Sequence, residues 1–593
     1  MKIPVIVDLD IHKFSGSGIT DYSSGLTNCA FHNNNGKWEL TQRASIDISE
    51  DASALVSPPS ERGRGIYYWE TESNLFIVND DTVYEATQDG GEVAGGGEIS
   101  SGTERVTMLE TIGTRRLVIL DAENNEGWWV NTPATAVTQI SSAGVGTDDH
   151  FPTVICHGGA ILDGILFVMD EDGVIYNSEV DDPTKFLASS FIEAERENDK
   201  GVYLGKHSEH LAAFGTRTLE FFSNEGYVAG SPLQRRQDIM HNIGLADGLA
   251  VWENGDITYF VGSNTTGQLA VYRLEYFNPI PISNDTLNSY LTQGLTQEGL
   301  RIVLSGWSAM GQDTLIMTIY TLTGASPGTI VPKLSLCYNS VTKIWSFINT
   351  SVAGHTHFPL IAFTKRTGGQ NATASARRGE GIFHNGDIIN VNDKLIPVDT
   401  LLGADGVYED GVYEADIYVN SSLDSGVNID VTIRTGHVGV NVPGYKFQRR
   451  LYLHMDTTST TQWFRIKMAD ENASFSSIRE LSGTIDGAAL NAIIDNTGNF
   501  TQAKTGHVIK NLDTGETSFI QLITNDSLLA TVDTIFTAIG ESYIIYIGDP
   551  INTTAIQKEL HQGGRFVQRN FQLEYSGDEQ FFFEDLDIDV ELG

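Results

Sequence analysis

Cysteine is almost missing from this 593-residue chain: Cys29, Cys156 and Cys337 stand far apart and are odd in number. They offer neither a disulfide framework nor a CxxC metal knuckle, and fit a reduced compartment or a protein indifferent to redox. Basic residues are short as well, with 37 Lys plus Arg against 77 Asp plus Glu and a formal net charge of −40. A protein that grips nucleic acid needs cations to displace phosphate counterions, so this balance argues against ordinary DNA or RNA binding. It fits either a solubilising acidic surface or a surface that repels a polyanion, such as the wall of a channel through which DNA slides. No apolar run approaches the roughly 20 residues of a membrane helix. The apolar stretch at residues 3–7 is too short for a secretory signal and is followed by Asp8 and Asp10. Synthesis and folding in cytosol are expected.

Catalytic signatures are missing too. There is no GxSxG elbow, GxxxxGK[ST] phosphate loop, HExxH pair or dinucleotide GxGxxG after a strand. His355 and His357 would share a face of a strand and could chelate a metal, but no third ligand accompanies them. Cys156-His157 has no assigned base, and a buried cysteine beside a turn accounts for it. Asp170-Glu171-Asp172-Gly173 has the flavour of a calcium loop without the downstream ligands, and Asp-Gly already reads as a hairpin turn. No catalytic, cofactor-binding or metal site is therefore expected, and no cofactor.

What is present is β-sheet grammar. Hydrophobic residues make up 40% and charged residues only 19%, with 60 Gly, 21 Tyr and 27 Phe, the composition of a folded, turn-rich β protein. Residues 251–260 read as two strands around an Asn254-Gly255 turn, a strong short-range hairpin signal. Leu166-Phe167-Val168-Met169, Asp172-Gly173 and Val174-Ile175-Tyr176 repeat that plan, and Ile382-Phe383-His384, Asn385-Gly386 and Asp387-Ile388-Ile389 repeat it again. Hairpin-like units recur at 65–84, 105–130, 154–176, 201–222, 250–272, 314–347 and 360–391. These are about seven units spaced by roughly 40 to 55 residues, the range of propeller blades. Such short strands cannot bury their apolar sides alone; arranged radially, each blade covers its neighbour. A stack of β-sandwiches satisfies the same alternation.

The fold expected is all-β: a β-propeller of about six to seven blades, then a sandwich-like C-terminal β domain carrying a small inserted β module. Residues 1–60 read as an N-terminal arm, 61–420 as the propeller, 421–483 and 549–593 as the C-terminal domain, and 484–548 as the insertion. In the last strand Asp585, Asp587, Asp589 and Glu591 alternate with Leu586, Ile588, Val590 and Leu592. Period two puts the carboxylates on one face, either a solvated face over a packed core or a strip of a negative wall or divalent-ion site.

From about residue 97 to 290 the chain resembles the packaged-DNA stabilisation proteins of short-tailed bacteriophages, also described as tail hub or nozzle proteins. The residues that carry the resemblance are Asp182, Pro183 and Phe186; Glu195 and Asp199; Phe214, Gly215, Thr218, Glu220 and Gly226; Arg235; Gly244; and the hairpin 251–262 with Val271-Tyr272 and Ile282-Ser283 beyond it. Phe222 stands where that family commonly has tryptophan, and 231–235 only partly matches its Pro-Phe-x-Arg element. The arm and the inserted module are not covered.

The resemblance implies a propeller subunit of a homohexameric ring in the virion, between the portal with its head-tail adaptor and the tail tip. Tail fibre, spike or needle proteins would be further partners, and genomic DNA would pass through the channel without specific binding. The alternatives are a propeller glycosidase, which needs two suitably placed carboxylates, and a carbohydrate-binding tail adhesin.

Overall fold

The computed structural model describes residues 63–365 and 427–592 over most of their length, and only separate strands before residue 63 and between 365 and 427. Seven small, mostly antiparallel sheets follow one another along the chain. The first is Gly63–Trp69, Asn74–Asn79, Thr82–Thr87 and Gly97–Glu98, and the second Thr107–Thr111, Arg116–Asp121, Glu126–Val130 and Val137–Gln139. The third is Ala160–Leu162, Ile165–Met169, Val174–Glu179 and Asp182–Glu193, and the fourth Gly201–His207, His210–Gly215, Leu219–Asn224 and Leu233–His241. The fifth is Val251–Asn254, Ile257–Ser263, Leu269–Glu275 and Asn278–Pro281, and the sixth Leu300–Ala309, Gln312–Thr323, Thr329–Asn339 and Trp345–Ile348.

The seventh sheet is built from distant parts of the chain. Leu360–Lys365, Ala404–Tyr408 and Glu414–Tyr418 are joined by Ser45–Ile48 as the outermost strand. The first strand of each sheet adjoins the first strand of the next, and Leu360–Lys365 lies between Leu300–Ala309 and Gly63–Trp69, so the ring closes as a seven-bladed propeller.

Local chemistry explains the blades. In the fifth, Asn254 pairs with Ile257, so the turn's central pair is Gly255-Asp256, one residue later than an Asn-Gly centre. Gly255 takes φ 60°, which suits the first central position of a II′ turn and matches the twist of the flanking strands. Packing between blades does the rest: Val118 and Leu120 of the second meet Leu166, Val168 and Phe186 of the third. Phe214 and Phe221 of the fourth meet Val251 and Phe260 of the fifth. Each such fully buried side chain stabilises by about 1.5–3 kcal/mol. In the sixth blade Tyr338 pairs with Trp345, ring centroids 5.0 Å apart, and the indole N–H donates to the Ile282 carbonyl at 2.9 Å.

A sandwich follows the propeller. Cys29–Asn34, Lys37–Gln42, Phe583–Leu592, Lys446–Met455 and Glu559–Phe566 form one sheet, and Val431–Arg434, Arg569–Tyr575 and Trp463–Asp470 belong to the other. Leu451, Leu453, Phe464, Leu573 and Ile588 fill the space between them. Residues 480–546 are spliced into this sandwich as a seven-stranded sheet with its own core of Ile485, Phe500, Ile509, Leu529 and Tyr543.

Of the expected N-terminal arm, the described strands pair with distant parts of the chain: Leu26–Thr27 joins the sixth blade's Trp345–Ile348 to Val431–Arg434, so one sheet runs from propeller to sandwich. Lys2–Val5 pairs with Phe583–Leu592, and Ser45–Ile48 closes the seventh blade. The hairpin expected across 382–389 falls partly outside the described residues. The strand Ile388–Val391, which begins within it, pairs with Lys394–Pro397.

Candidate functional site

The natural place for a site in a propeller is its axis, where the inner strands leave a cavity of about 210 Å³. Arg105 spans it. Its Nη1 donates to the carbonyls of Leu304 at 2.7 Å and Ile361 at 3.2 Å, and its Nη2 to that of Val251 at 3.2 Å, which ties the fifth, sixth and seventh blades to the second. At one end Glu104 accepts from His157 Nε2 at 3.1 Å and pairs with Arg301, which also reaches Asp247 at 3.5 Å. Burial alone would raise the Glu104 carboxyl, but the His157 hydrogen bond and the Arg301 guanidinium hold it down at about 2.

Glu253 also lines the cavity and accepts from the Tyr203 hydroxyl at 3.3 Å. Burial pushes its carboxyl up to about 8, although the Tyr203 and Lys206 N–H hydrogen bonds and the Arg105 charge pull the other way. Gly205 makes room for it: a Cβ there would lie 1.7 Å from Glu253 Oε1. Of these side chains only His157 was singled out from the sequence, as the neighbour of Cys156, because nothing local marks residues that meet only when seven blades close.

The axis admits a few waters or a small molecule and nothing larger, since a water occupies about 30 Å³ while the major groove of B-DNA alone is about 12 Å wide. DNA does not pass through this propeller.

The stretch that carries the sequence resemblance turns out to be a framework. Asp182 pairs with Arg116 at 2.7 Å, and that guanidinium lies 4.4 Å from the Trp129 ring, so the third blade is clamped to the second. Asp199 accepts from Thr216 Oγ1, from the backbone N–H groups of Arg217 and Thr218 at 2.9 and 2.8 Å, and from Thr218 Oγ1 at 2.9 Å. Gly215 is demanded by this closeness, because a Cβ would sit 2.2 Å from Asp199 Oδ2. Glu220 pairs with Arg235 at 2.8 Å, and Arg235 lies over Phe222.

The weaker candidates resolve in the same direction. Cys156 is buried, which pushes its thiol up and away from nucleophilic character, and His157 is taken by Glu104. Asp170 Oδ1 accepts from the N–H groups of Asp172 and Val174, both at 2.9 Å, and Oδ2 accepts from Tyr176 at 3.0 Å, while Gly173 takes φ 81°. The carboxylate serves the turn. His357 is buried, and His355 lies outside the described residues.

In the last strand Leu586, Ile588 and Val590 are buried and the acidic positions face outward. Bases on the neighbouring strand answer them: Arg449 pairs with Glu591 at 2.7 Å, and His454 lies 3.3 Å from Asp587. This is a solvated face over a packed core. Among the described residues no three His, Cys, Asp or Glu side chains gather as a metal site, and no helix is long and apolar enough to cross a membrane.

The fold is thus a seven-bladed propeller whose axis is crossed by Arg105 and whose most closely knit residues hold blades together. The chain belongs to the phage packaged-DNA stabilisation family described as Bacteriophage P22 Gp10, beta-propeller, whose model matches residues 54–379. No curated protein matches the chain in sequence.

Among solved structures it is similar to the extracellular domain of a hybrid two-component system of B. thetaiotaomicron. That likeness has 9% identity and a TM-score of 0.38 over 81% of this chain and 51% of the other, so the chain spans about half of that protein. The WD40 domain of Neurospora crassa Pan2 shows 8% identity and a TM-score of 0.31 over 64% and 95%. Virginiamycin B lyase of Staphylococcus aureus shows 11% identity and a TM-score of 0.28 over 49% and 88%. Likenesses this loose bear on no function.

Proposed function

We propose that the chain is a structural virion protein, six copies of which form the tail hub or nozzle ring of a short-tailed phage. The ring joins the portal and its adaptor to the tail tip, carries the fibre, spike or needle proteins, encloses the DNA exit channel and retains packaged DNA. It is made in the host cytoplasm and works without catalysis. The observation that carries this proposal is the family match over residues 54–379; because Arg105 ties four blades across the propeller axis, the duplex-wide channel we propose would lie between copies of the chain and not within one. A net charge of −40 disfavours phosphate contacts that would arrest moving DNA. Retention then comes from a mechanical constriction, not from affinity. Cryo-electron microscopy of the particle tests this. Six copies around duplex density in a carboxylate-lined lumen are expected, and a lumen lined mainly by Lys and Arg would sink it.

One observation favours a second function, a propeller glycosidase. Glu253, a half-buried carboxyl raised to about 8, lines the axis cavity as a general acid would. Glycan release abolished by Glu253→Gln would establish it.

A further inference from the structure

We propose that one face of the propeller docks a protein partner whose contact surface has apolar sockets within a basic rim. In a blade of four antiparallel strands, the turn from third to fourth strand lies at the same end as the turn from first to second, toward the outside of the ring. Four successive blades place an exposed apolar side chain in that outer turn. They are Val180, 61% exposed, in the third, Tyr227, 53%, in the fourth, Tyr276, 86%, in the fifth and Val341, 46%, in the sixth. Apolar residues scattered singly over a surface need no explanation, but recurrence at one topological position does.

Tyr276 makes the case sharper. Its φ of 54° is a left-handed conformation that costs a bulky residue more than Gly, Asn or Asp. The turn is locked in it: His207 Nε2 donates to the Tyr276 carbonyl, and His241 Nε2 to the Phe277 carbonyl at 2.6 Å. Phe277 packs edge-on against Phe221 and His210 with centroids 5.1 and 4.9 Å away. Folding draws on Phe277 and leaves the Tyr276 ring in water, at a position where a smaller residue would cost less. A rigid aromatic that breaks the local rule without a folding gain is the kind of group recognition uses.

Charge selects the occupant. On or beside the inner and outer turns of this face, Asp163, Glu179, Asp181, Glu209, Glu225 and Asp256 are exposed against the bases Arg115, Lys185 and Lys343, so acids outnumber bases there. A second copy presenting the same face would be repelled, and a surface ringed by Lys and Arg is drawn in and oriented. The setting, a partner met during infection, rests on the virion function proposed above; the surface itself does not.

The test uses the full chain expressed during infection with Tyr276→p-benzoylphenylalanine or Tyr227→p-benzoylphenylalanine. Cells are irradiated, and the adducts are sequenced by mass spectrometry. Both positions are expected to trap one protein other than this chain, within a segment rich in Lys and Arg. With the photoreactive group moved to Val341, Tyr276→Ser combined with Tyr227→Ser is expected to cut the adduct at least about tenfold, as loss of interface anchors does. An adduct with a second copy, an adduct with a segment lacking basic excess, or no adduct from soluble full-length protein overturns the docking surface. Purified particles are probed separately for the chain. Its absence there overturns the virion function and leaves the adduct result to decide the surface.

Discussion

Glu253→Gln should abolish a specific loss of stability on going from mildly acid to alkaline solution. The carboxyl is raised by burial from 4.5 to about 8, so between those values the folded state holds one proton that the unfolded chain has released. Its contribution is fully present below about pH 4.5 and is lost as pH rises through 8. With about 1.36 kcal/mol per pKa unit, the group removes at most about 2.7 kcal/mol of stability between pH 6 and pH 9. The substituted amide would not titrate, and its oxygen can still accept from the Tyr203 hydroxyl. The assay is equilibrium urea unfolding followed by tryptophan fluorescence, for which Trp252 lies in the same cavity wall. Wild type and variant are compared at both pH values, so that other titrating groups cancel in the double difference. Equal losses in the two proteins would refute the buried-acid account of Glu253.

Arg105→Met removes the cation that restrains the Glu253 pKa and the donor to three carbonyls. Urea unfolding should show a destabilisation of about 3–5 kcal/mol, with the pH-dependent loss moved to higher pH. Asp199→Ala strips the turn before Leu219 of its acceptor and should cost about 3 kcal/mol, measured by thermal melting, with Asp199→Asn recovering part of it. Replacing residues 480–546 by a short Gly-Ser linker should leave the rest of the melt near its original temperature, because the module has its own core and loop closure costs little. Deleting residues 1–48 should lower the melting temperature and speed proteolytic cleavage within 366–427, since the seventh blade loses its outer strand.

The hairpins were legible because a turn is local. Asp172-Gly173 and Gly255 announce φ > 0, and the alternation around them sets which side chains face the neighbouring blade. The run from Asp182 to Arg235 was legible as a pattern and not as a mechanism. That Asp199 gathers Thr216, Arg217 and Thr218, and that Gly215 is glycine because of Asp199, emerges only when two segments seventeen residues apart are brought into contact. Arg105 and Glu253 gave no local signal, since their partners come from other blades. The strands before residue 63 looked irregular because they are short and several pair with distant segments, Lys2–Val5 with Phe583–Leu592, Leu26–Thr27 with Val431–Arg434 and Ser45–Ile48 with Glu414–Tyr418.

Residue order and composition were enough for an all-β chain with about seven blade-sized units, an acidic balance unsuited to gripping DNA, and a stretch resembling one phage family. Each of these depends on period, turn chemistry or composition, which act over a few residues or over the whole chain at once. It took the folded chain to show that the ring closes at seven with Ser45–Ile48 as its clasp, that Leu26–Thr27 stitches propeller to sandwich, and that Arg105 crosses the axis. Those depend on pairings across hundreds of residues, whose entropy cost is offset only when all the blades pack together.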